Sequence, residues 1–203
     1  METGIEAILE RYARMVADSP HNLVSRAARA ELSTRHVPEA VRFARELPGP
    51  GRLLDVGSGG GLPGVVIAIV RPDLEVHLLE ATGKKVAFLE ETSRTLEVPV
   101  RIHLGRAEAL ASGPLGGSFD LVTARAVAPL DRLVRLTVPF LAPGGSLHAL
   151  KGARWAEELT AAHAEIRRRG LVVASTPAQA PSPAEPEGQD GGPTVIVLTR
   201  VSP

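Results

Sequence analysis

The chain has 203 residues, an apolar share of 44%, no cysteine, and 23 basic against 23 acidic side chains. That length suits one domain with a small addition, and the missing thiols exclude disulfides, thiolate metal sites and cysteine nucleophiles. A formal net charge of zero removes any chain-wide attraction to a polyanion, so a nucleic-acid partner has to be met by a local basic patch. No apolar run reaches membrane-spanning length, and the first residues lack a basic, then apolar, leader pattern. The expectation is a cytoplasmic protein with no membrane partner.

Residues 3 to 17 and 35 to 47 read as amphipathic helices. Ile5, Ile8, Leu9, Tyr12 and Val16 are spaced for one buried stripe, as are Val37, Val41 and Ala44. Ser19, Pro20, His21 and Asn22 break the first helix. Pro48-Gly49-Pro50-Gly51 marks a boundary, so residues 1–47 are expected to form a helical appendage and residues 48–203 the main domain. Beyond it, strands are expected near 52–56, 75–79, 100–104, 119–123, 146–150, 171–174 and 194–200. Helices are expected near 63–70, 83–97, 106–111, 130–139 and 153–169. Such alternation builds a mostly parallel, doubly covered α/β sheet. The last two strands have no helix between them, which favours an antiparallel hairpin. The segment from Thr176 to Pro193 is rich in Pro, Ala and Gly and has no large apolar residue; it reads as a mobile loop dispensable for catalysis.

The stretch Leu53-Leu54-Asp55-Val56-Gly57-Ser58-Gly59-Gly60-Gly61-Leu62-Pro63-Gly64 reads as the first strand–loop–helix of a nucleotide-binding domain. Gly59, Gly61 and Gly64 fit the dinucleotide spacing G-x-G-x-x-G, a weak match on its own. Asp55, Gly57, Gly59 and Gly61 fit the D-x-G-x-G-x-G turn of S-adenosylmethionine (AdoMet)-dependent methyltransferases. A dinucleotide wants helix N–H groups aimed at pyrophosphate. AdoMet has no phosphate and carries an amino acid and a sulfonium, so Asp55 tips the reading toward methyl transfer. Seven strands with a terminal hairpin point the same way, since a dinucleotide domain typically has six parallel strands.

Further candidates fall at strand ends. Glu80 closes the second strand, where a carboxylate can accept hydrogen bonds from both ribose hydroxyls in either enzyme class. Arg106-Ala107-Glu108 follows the third strand, where an adenine would lie. Arg125 leaves the fourth strand in Thr-Ala-Arg-Ala-Val-Ala with no charged neighbour and is expected to project into the cleft. Lys151 ends the fifth strand at the same rim, and Asn22 and His36 of the appendage could reach it. Between residues 122 and 170, Arg125, Arg132, Arg135, Lys151, Arg154, Arg167, Arg168 and Arg169 outnumber Asp131, Glu157, Glu158 and Glu165, a local cationic excess that could meet RNA. The other reading is solvated helix charges, and it is the one expected for Arg167, Arg168 and Arg169.

Absences narrow the reaction. Pyrimidine C5 methylation needs a thiolate, and there is none. Exocyclic amine methylation usually accompanies an Asn/Asp-Pro-Pro-aromatic run, and Thr123-Ala124-Arg125-Ala126 stands in that place. No His, Asp and Glu cluster has metal-ligand spacing. A nucleophile with a free lone pair fits, such as guanine N7. It needs no general base, so catalysis can rest on proximity and alignment.

Taken together, Asn22-Leu23-Val24-Ser25, Arg35-His36, the Asp55–Gly64 turn, Lys84-Lys85-Val86-Ala87-Phe88-Leu89, Arg106-Ala107-Glu108, Arg125-Ala126-Val127-Ala128 and Lys151-Gly152 resemble, in order, the RsmG family, also called glucose-inhibited division protein B. The resemblance covers about residues 10 to 160. It implies an AdoMet-dependent methyltransferase acting on N7 of a decoding-region guanine in bacterial 16S rRNA, as naked RNA or in an assembling small subunit; a monomer with no metal is expected. It further implies that Gly57 and Leu62 line the AdoMet site, with Glu80, Ala81 and Thr82 at the ribose and Ala107 and Glu108 at the adenine. Arg125 falls at the cofactor rim in a positioning role, and Asn22, Arg35, His36 and Lys151 meet RNA. Three positions depart from the family pattern: no Trp precedes Asn22, Glu39 after Pro38 replaces an Asp, and Arg200 replaces a Lys. The first two bear on the RNA contacts of the appendage. The rival readings are an NAD-dependent oxidoreductase and a non-catalytic AdoMet-binding ribosome-assembly factor.

Overall fold

The structure is a computed structural model that describes residues 2–176 and 194–201. The segment read as a loop, Thr176 to Pro193, lies outside the described residues except for Thr176. Seven strands form one sheet in the order β3-β2-β1-β4-β5-β7-β6, and the chain divides into two compact units, Met1–Ala107 and Glu108–Pro203. The expected strand–helix alternation is present. No described helix is long and apolar enough to cross a membrane.

The first unit opens with helix α1 (Glu2–Asp18), the short α2 (Arg26–Ala30), a π-helical turn (Leu32–His36) and α3 (Val37–Glu46). Then come β1 (Gly51–Val56), α4 (Gly64–Val70), β2 (Leu74–Glu80), α5 (Gly83–Leu96) and β3 (Arg101–Leu104). β1 pairs with β2 and β2 with β3, both parallel, as short connections through helices require. The α4 sequence GVVIAIV is apolar all round and six of its seven residues are buried, the state such a helix needs. α1 and α3 both pack on α4, so the N-terminal helices belong to the same unit as β1–β3 and cover the helix that follows the glycine turn. Tyr12 and Val16 of α1 are fully buried, as the apolar stripe predicts. Sequence periodicity misses α2 and the π-helical turn. Ser25 signals α2 locally, its hydroxyl accepting from Ala28 N–H at 3.1 Å as an N-cap.

α6 (Ala107–Leu110) spans the division between the units. The second unit continues with β4 (Phe119–Arg125), α7 (Leu130–Thr137), β5 (Leu141–Lys151), α8 (Trp155–Arg168), β6 (Leu171–Ser175) and β7 (Thr194–Arg200). β4 and β5 are parallel, with Arg125 opposite Leu150. β7 runs antiparallel to both β5 and β6, so the expected terminal hairpin is present and β7 lies between β5 and β6. Its core holds Phe119, Leu130, Leu133, Phe140, Ile196 and Leu198.

Candidate active site

The parallel strands of the first unit end along one edge, and backbone hydrogen bonds tie their exits together. Gly57 and Ser58 N–H both donate to Leu79 O, at 2.8 and 3.2 Å, and Gly105 N–H donates to Glu80 O at 3.0 Å. The carboxyl edge is where open α/β sheets bind ligands. Here it gathers the Asp55–Gly64 turn, Glu80–Thr82 and Gly105–Ala107.

Gly57, Gly59 and Gly61 hold φ values of +73°, +56° and +97°, a region costly for residues with a Cβ. A Cβ on Gly61 would stand 2.5 Å from Val65 Cγ2, and one on Gly64 would stand 2.7 Å from Asp55 Oδ2. These two glycines serve packing within the protein. Gly59 differs: a Cβ there would meet nothing closer than Leu23 O at 3.6 Å. The backbone at Gly59 therefore has room beside it for a ligand. Leu62 is half-buried within the turn.

Glu80 is 6% exposed and holds this turn directly. Its Oε2 accepts from Gly59 N–H at 3.0 Å and its Oε1 from Thr82 N–H at 2.9 Å. A carboxylate has about four acceptor positions, so each oxygen keeps capacity for a further donor. Ala81 and Thr82 are exposed, and Thr82 O accepts from Lys85 and Val86 N–H at 2.9 and 3.0 Å to start α5. Asp55 is 1% exposed, and its carbonyl accepts from Ser58 Oγ at 2.9 Å. Two buried carboxylates beside the turn oppose a pyrophosphate and suit a cationic ligand bearing a diol. AdoMet, with its amino group, sulfonium and ribose hydroxyls, fits these carboxylate acceptors. Ala107 is buried at the start of α6, and Glu108, the first residue of the second unit, is exposed.

The N-terminal helices brace the turn, which sequence reasoning missed. Tyr12 Oη donates to Gly60 O at 2.9 Å in a buried setting, and a Cβ on Gly60 would lie 3.1 Å from Leu23 Cβ. Arg29 fixes the preceding loop by donating to Ala17 O and Ser19 O at 3.0 Å and to His21 O at 2.9 Å. Asn22, exposed between His21 and Leu23, is thereby brought near the turn. The available signal was Tyr12, the single tyrosine of the chain, on the buried stripe of α1.

Arg35 and His36 converge on the buried Glu39. Arg35 Nε donates to Oε1 at 3.0 Å, and His36 Nδ1 lies 3.2 Å from Oε2. Arg35 also reaches Glu31 at 3.1 Å. Glu39, followed by Glu31, holds the Arg35 guanidinium above its ordinary pKa.

In the second unit Arg125 is half-buried at the end of β4. Lys151, expected at an RNA-facing rim, is only 8% exposed. Its Nζ donates to Ala128 O at 2.9 Å and pairs with Glu158 Oε2 at 2.6 Å. The cationic excess between residues 122 and 170 is partly neutralised on the spot. Arg135 pairs with Asp131 at 2.9 Å, and Arg168 and Arg169 both pair with Glu165. Among the described residues no group of three or more His, Asp and Glu side chains could hold a metal ion.

Several known proteins are similar to this chain. The family model described as "GidB: rRNA small subunit methyltransferase G" matches residues 5–183. A relative named ribosomal RNA small subunit methyltransferase G from Sorangium cellulosum is 44% identical over 182 residues, covering 87% of this chain and 76% of the relative. A relative of the same name from Salinispora tropica is 49% identical over 139 residues, covering 65% of this chain. The chain covers 56% of that relative's length. Among solved structures, M. jannaschii TYW2 in complex with AdoMet aligns with a TM-score of 0.58 at 17% identity, over 81% of this chain and 74% of that one. A SAM-dependent O-methyltransferase from Thermotoga maritima aligns with a TM-score of 0.58 at 15% identity, over 82% of this chain and 66% of that one. Such likeness shows the fold alone, and that fold, with its antiparallel β7, is not the six-parallel-strand dinucleotide sheet. With most of its length matched by the family model and its glycine turn, Glu80 and Arg125 all inside the match, this chain belongs to the GidB, or rRNA small subunit methyltransferase G, family.

Proposed function

We propose that this protein transfers a methyl group from AdoMet to N7 of a decoding-region guanine in 16S rRNA of the small ribosomal subunit. The observation that carries the reading is the family match across residues 5–183, joined to a turn in which Glu80 clamps Gly59. Bound AdoMet supplies an electrophilic methyl group on a sulfonium. Asp55, Gly57, Gly59 and Leu62 hold it along the turn, Glu80, Ala81 and Thr82 take the ribose, and Ala107 and Glu108 take the adenine. Arg125 positions the reactants. Guanine N7 carries no proton, so no side chain has to remove one, and alignment supplies the acceleration. Asn22, Arg35 and His36 meet the RNA from the N-terminal helices, with His36 and Arg35 set in place by Glu39. Lys151 acts at the RNA-facing rim through the loop it holds. The protein works in the cytoplasm as a monomer.

The test is methyl transfer from labelled AdoMet to small subunits purified from a strain that lacks the modification, alongside thermal shifts with AdoMet and with NAD. Label in 16S rRNA, with stabilisation by AdoMet alone, is the expected result. Stabilisation by NAD would overturn the cofactor. Stabilisation by AdoMet with no label in RNA would leave a binding factor for ribosome assembly and overturn the enzyme.

A further inference from the structure

Ala126 has φ +55°, the left-handed region that alanine rarely adopts. It directly follows β4 and opens the loop Ala126–Pro129, in which Val127 is 36% exposed. A strained residue persists only where its surroundings over-determine it. Two side chains hold the loop that follows it. The β4–β5 register sets Arg125 opposite Leu150, which places Lys151 beside this loop. Lys151 Nζ donates to Ala128 O at 2.9 Å, and its charge is met by Glu158 Oε2 at 2.6 Å. The same Glu158 oxygen accepts from Leu130 N–H at 2.9 Å, the first residue of α7. One buried ammonium and one carboxylate thus grip the loop at its last carbonyl but one and at the helix that follows.

We propose that Lys151 and Glu158 are positioning residues for methyl transfer: their ion pair fixes the Ala126–Pro129 loop, which directly follows Arg125 at the carboxyl end of β4. The assignment rests on the methyltransferase reading above. Neither residue touches the reacting atoms. A lysine paired in this way acts on the placement of the reactants through the shape of the loop rather than through a phosphate contact, so its removal leaves the salt dependence of RNA binding unchanged. Removing the amine or the carboxylate frees the loop to relax from the left-handed conformation at Ala126, and the base is then misplaced.

The experiment uses the full chain with small subunits lacking the modification. Lys151→Met and Glu158→Gln are each expected to lower single-turnover kcat by roughly tenfold to a hundredfold, the scale of a misplacement of about 1 Å, with AdoMet affinity and KM for the particle nearly unchanged. Hydrogen exchange at the Leu130 amide should quicken in Glu158→Gln, since that N–H loses its carboxylate. Ala126→Gly placed in the Lys151→Met background should recover part of kcat, because glycine adopts positive φ without cost. Wild-type kcat in a folded Lys151→Met or Glu158→Gln protein would overturn the proposal alone. A salt dependence that becomes shallower in Lys151→Met would also overturn it, by showing a phosphate contact. A wild-type chain that labels no RNA would instead overturn the methyltransferase reading and this role with it.

Discussion

Glu80→Gln tests the turn and the ribose contact together. The two side chains have nearly the same shape, so the change isolates charge and acceptor count. In the native protein both carboxylate oxygens accept a backbone N–H, from Gly59 at 3.0 Å and from Thr82 at 2.9 Å. An amide offers only one acceptor oxygen, so one of these two donors must face an NH₂ group. A hydrogen bond to a charged group contributes roughly 1.5–3 kcal/mol, and the loss of one sets the expected destabilisation at that size. For a chain of this length about 2–4 °C of Tm accompanies each kcal/mol, so Tm should fall by about 3–12 °C. AdoMet affinity should fall further, by roughly tenfold to a hundredfold, since the remaining acceptors for the ribose hydroxyls are also weakened. Thermal unfolding by circular dichroism and titration calorimetry with AdoMet read the two effects separately. A Glu80→Gln protein with native Tm would refute the clamp on Gly59, and one with native AdoMet affinity would refute the ribose assignment.

Other outcomes follow from the same geometry. Tyr12→Phe removes the hydroxyl that donates to Gly60 O and should cost about 1 kcal/mol of stability, with a few-fold weaker AdoMet binding; calorimetry showing neither change would separate α1 from the site. Gly61→Ala forces a Cβ into φ +97° and to 2.5 Å from Val65, so a loss of roughly 1–3 kcal/mol and of measurable AdoMet binding is expected in denaturant titration and calorimetry. Unchanged values would show that the turn tolerates a side chain there. Burial pushes the His148 imidazole down to about 4, so between that value and its ordinary 6.5 the unfolded chain binds the extra proton. Stability is therefore full above about pH 6.5 and falls toward pH 4, by at most about 3 kcal/mol at about 1.36 kcal/mol per unit. His77 and His103 are lowered as well, chiefly by burial, and add to the slope in the same direction. Denaturant titrations of His148→Gln should show a shallower acid limb than wild type, and an identical limb would show that His148 does not titrate this way.

Much of the site was legible because its signals are local. The glycine turn is a run of adjacent residues, and Glu80 is marked by the end of an apolar strand. The antiparallel β7 follows from the lack of an intervening helix. What the sequence hid depends on pairs far apart in the chain. Tyr12 and Gly60 meet only once α1 folds over the turn, and no periodicity links them. Lys151 reads in the sequence as a rim residue meeting RNA because it ends a strand on the ligand-binding edge; its partner Glu158 sits on the next helix, where acids are common for other reasons. The π-helical turn at Leu32–His36 escaped because five residues are too few to show a period. Glu39, noted only as a departure from the family pattern, proved to be the carboxylate on which Arg35 and His36 converge.

Whether the transferred methyl lands on guanine N7 is tested most directly by the product nucleoside. Small subunits lacking the modification are incubated with the chain and AdoMet carrying a deuterated methyl group, and the 16S rRNA is then digested and mapped by mass spectrometry. A parallel sample is reduced with borohydride and cleaved with aniline, which breaks the strand only where N7 is alkylated. The expected product is one deuterated methyl on a single decoding-region guanine, with strand scission at that position. A methyl on an exocyclic amine, on a carbon or on ribose, resistant to scission, would contradict N7 transfer.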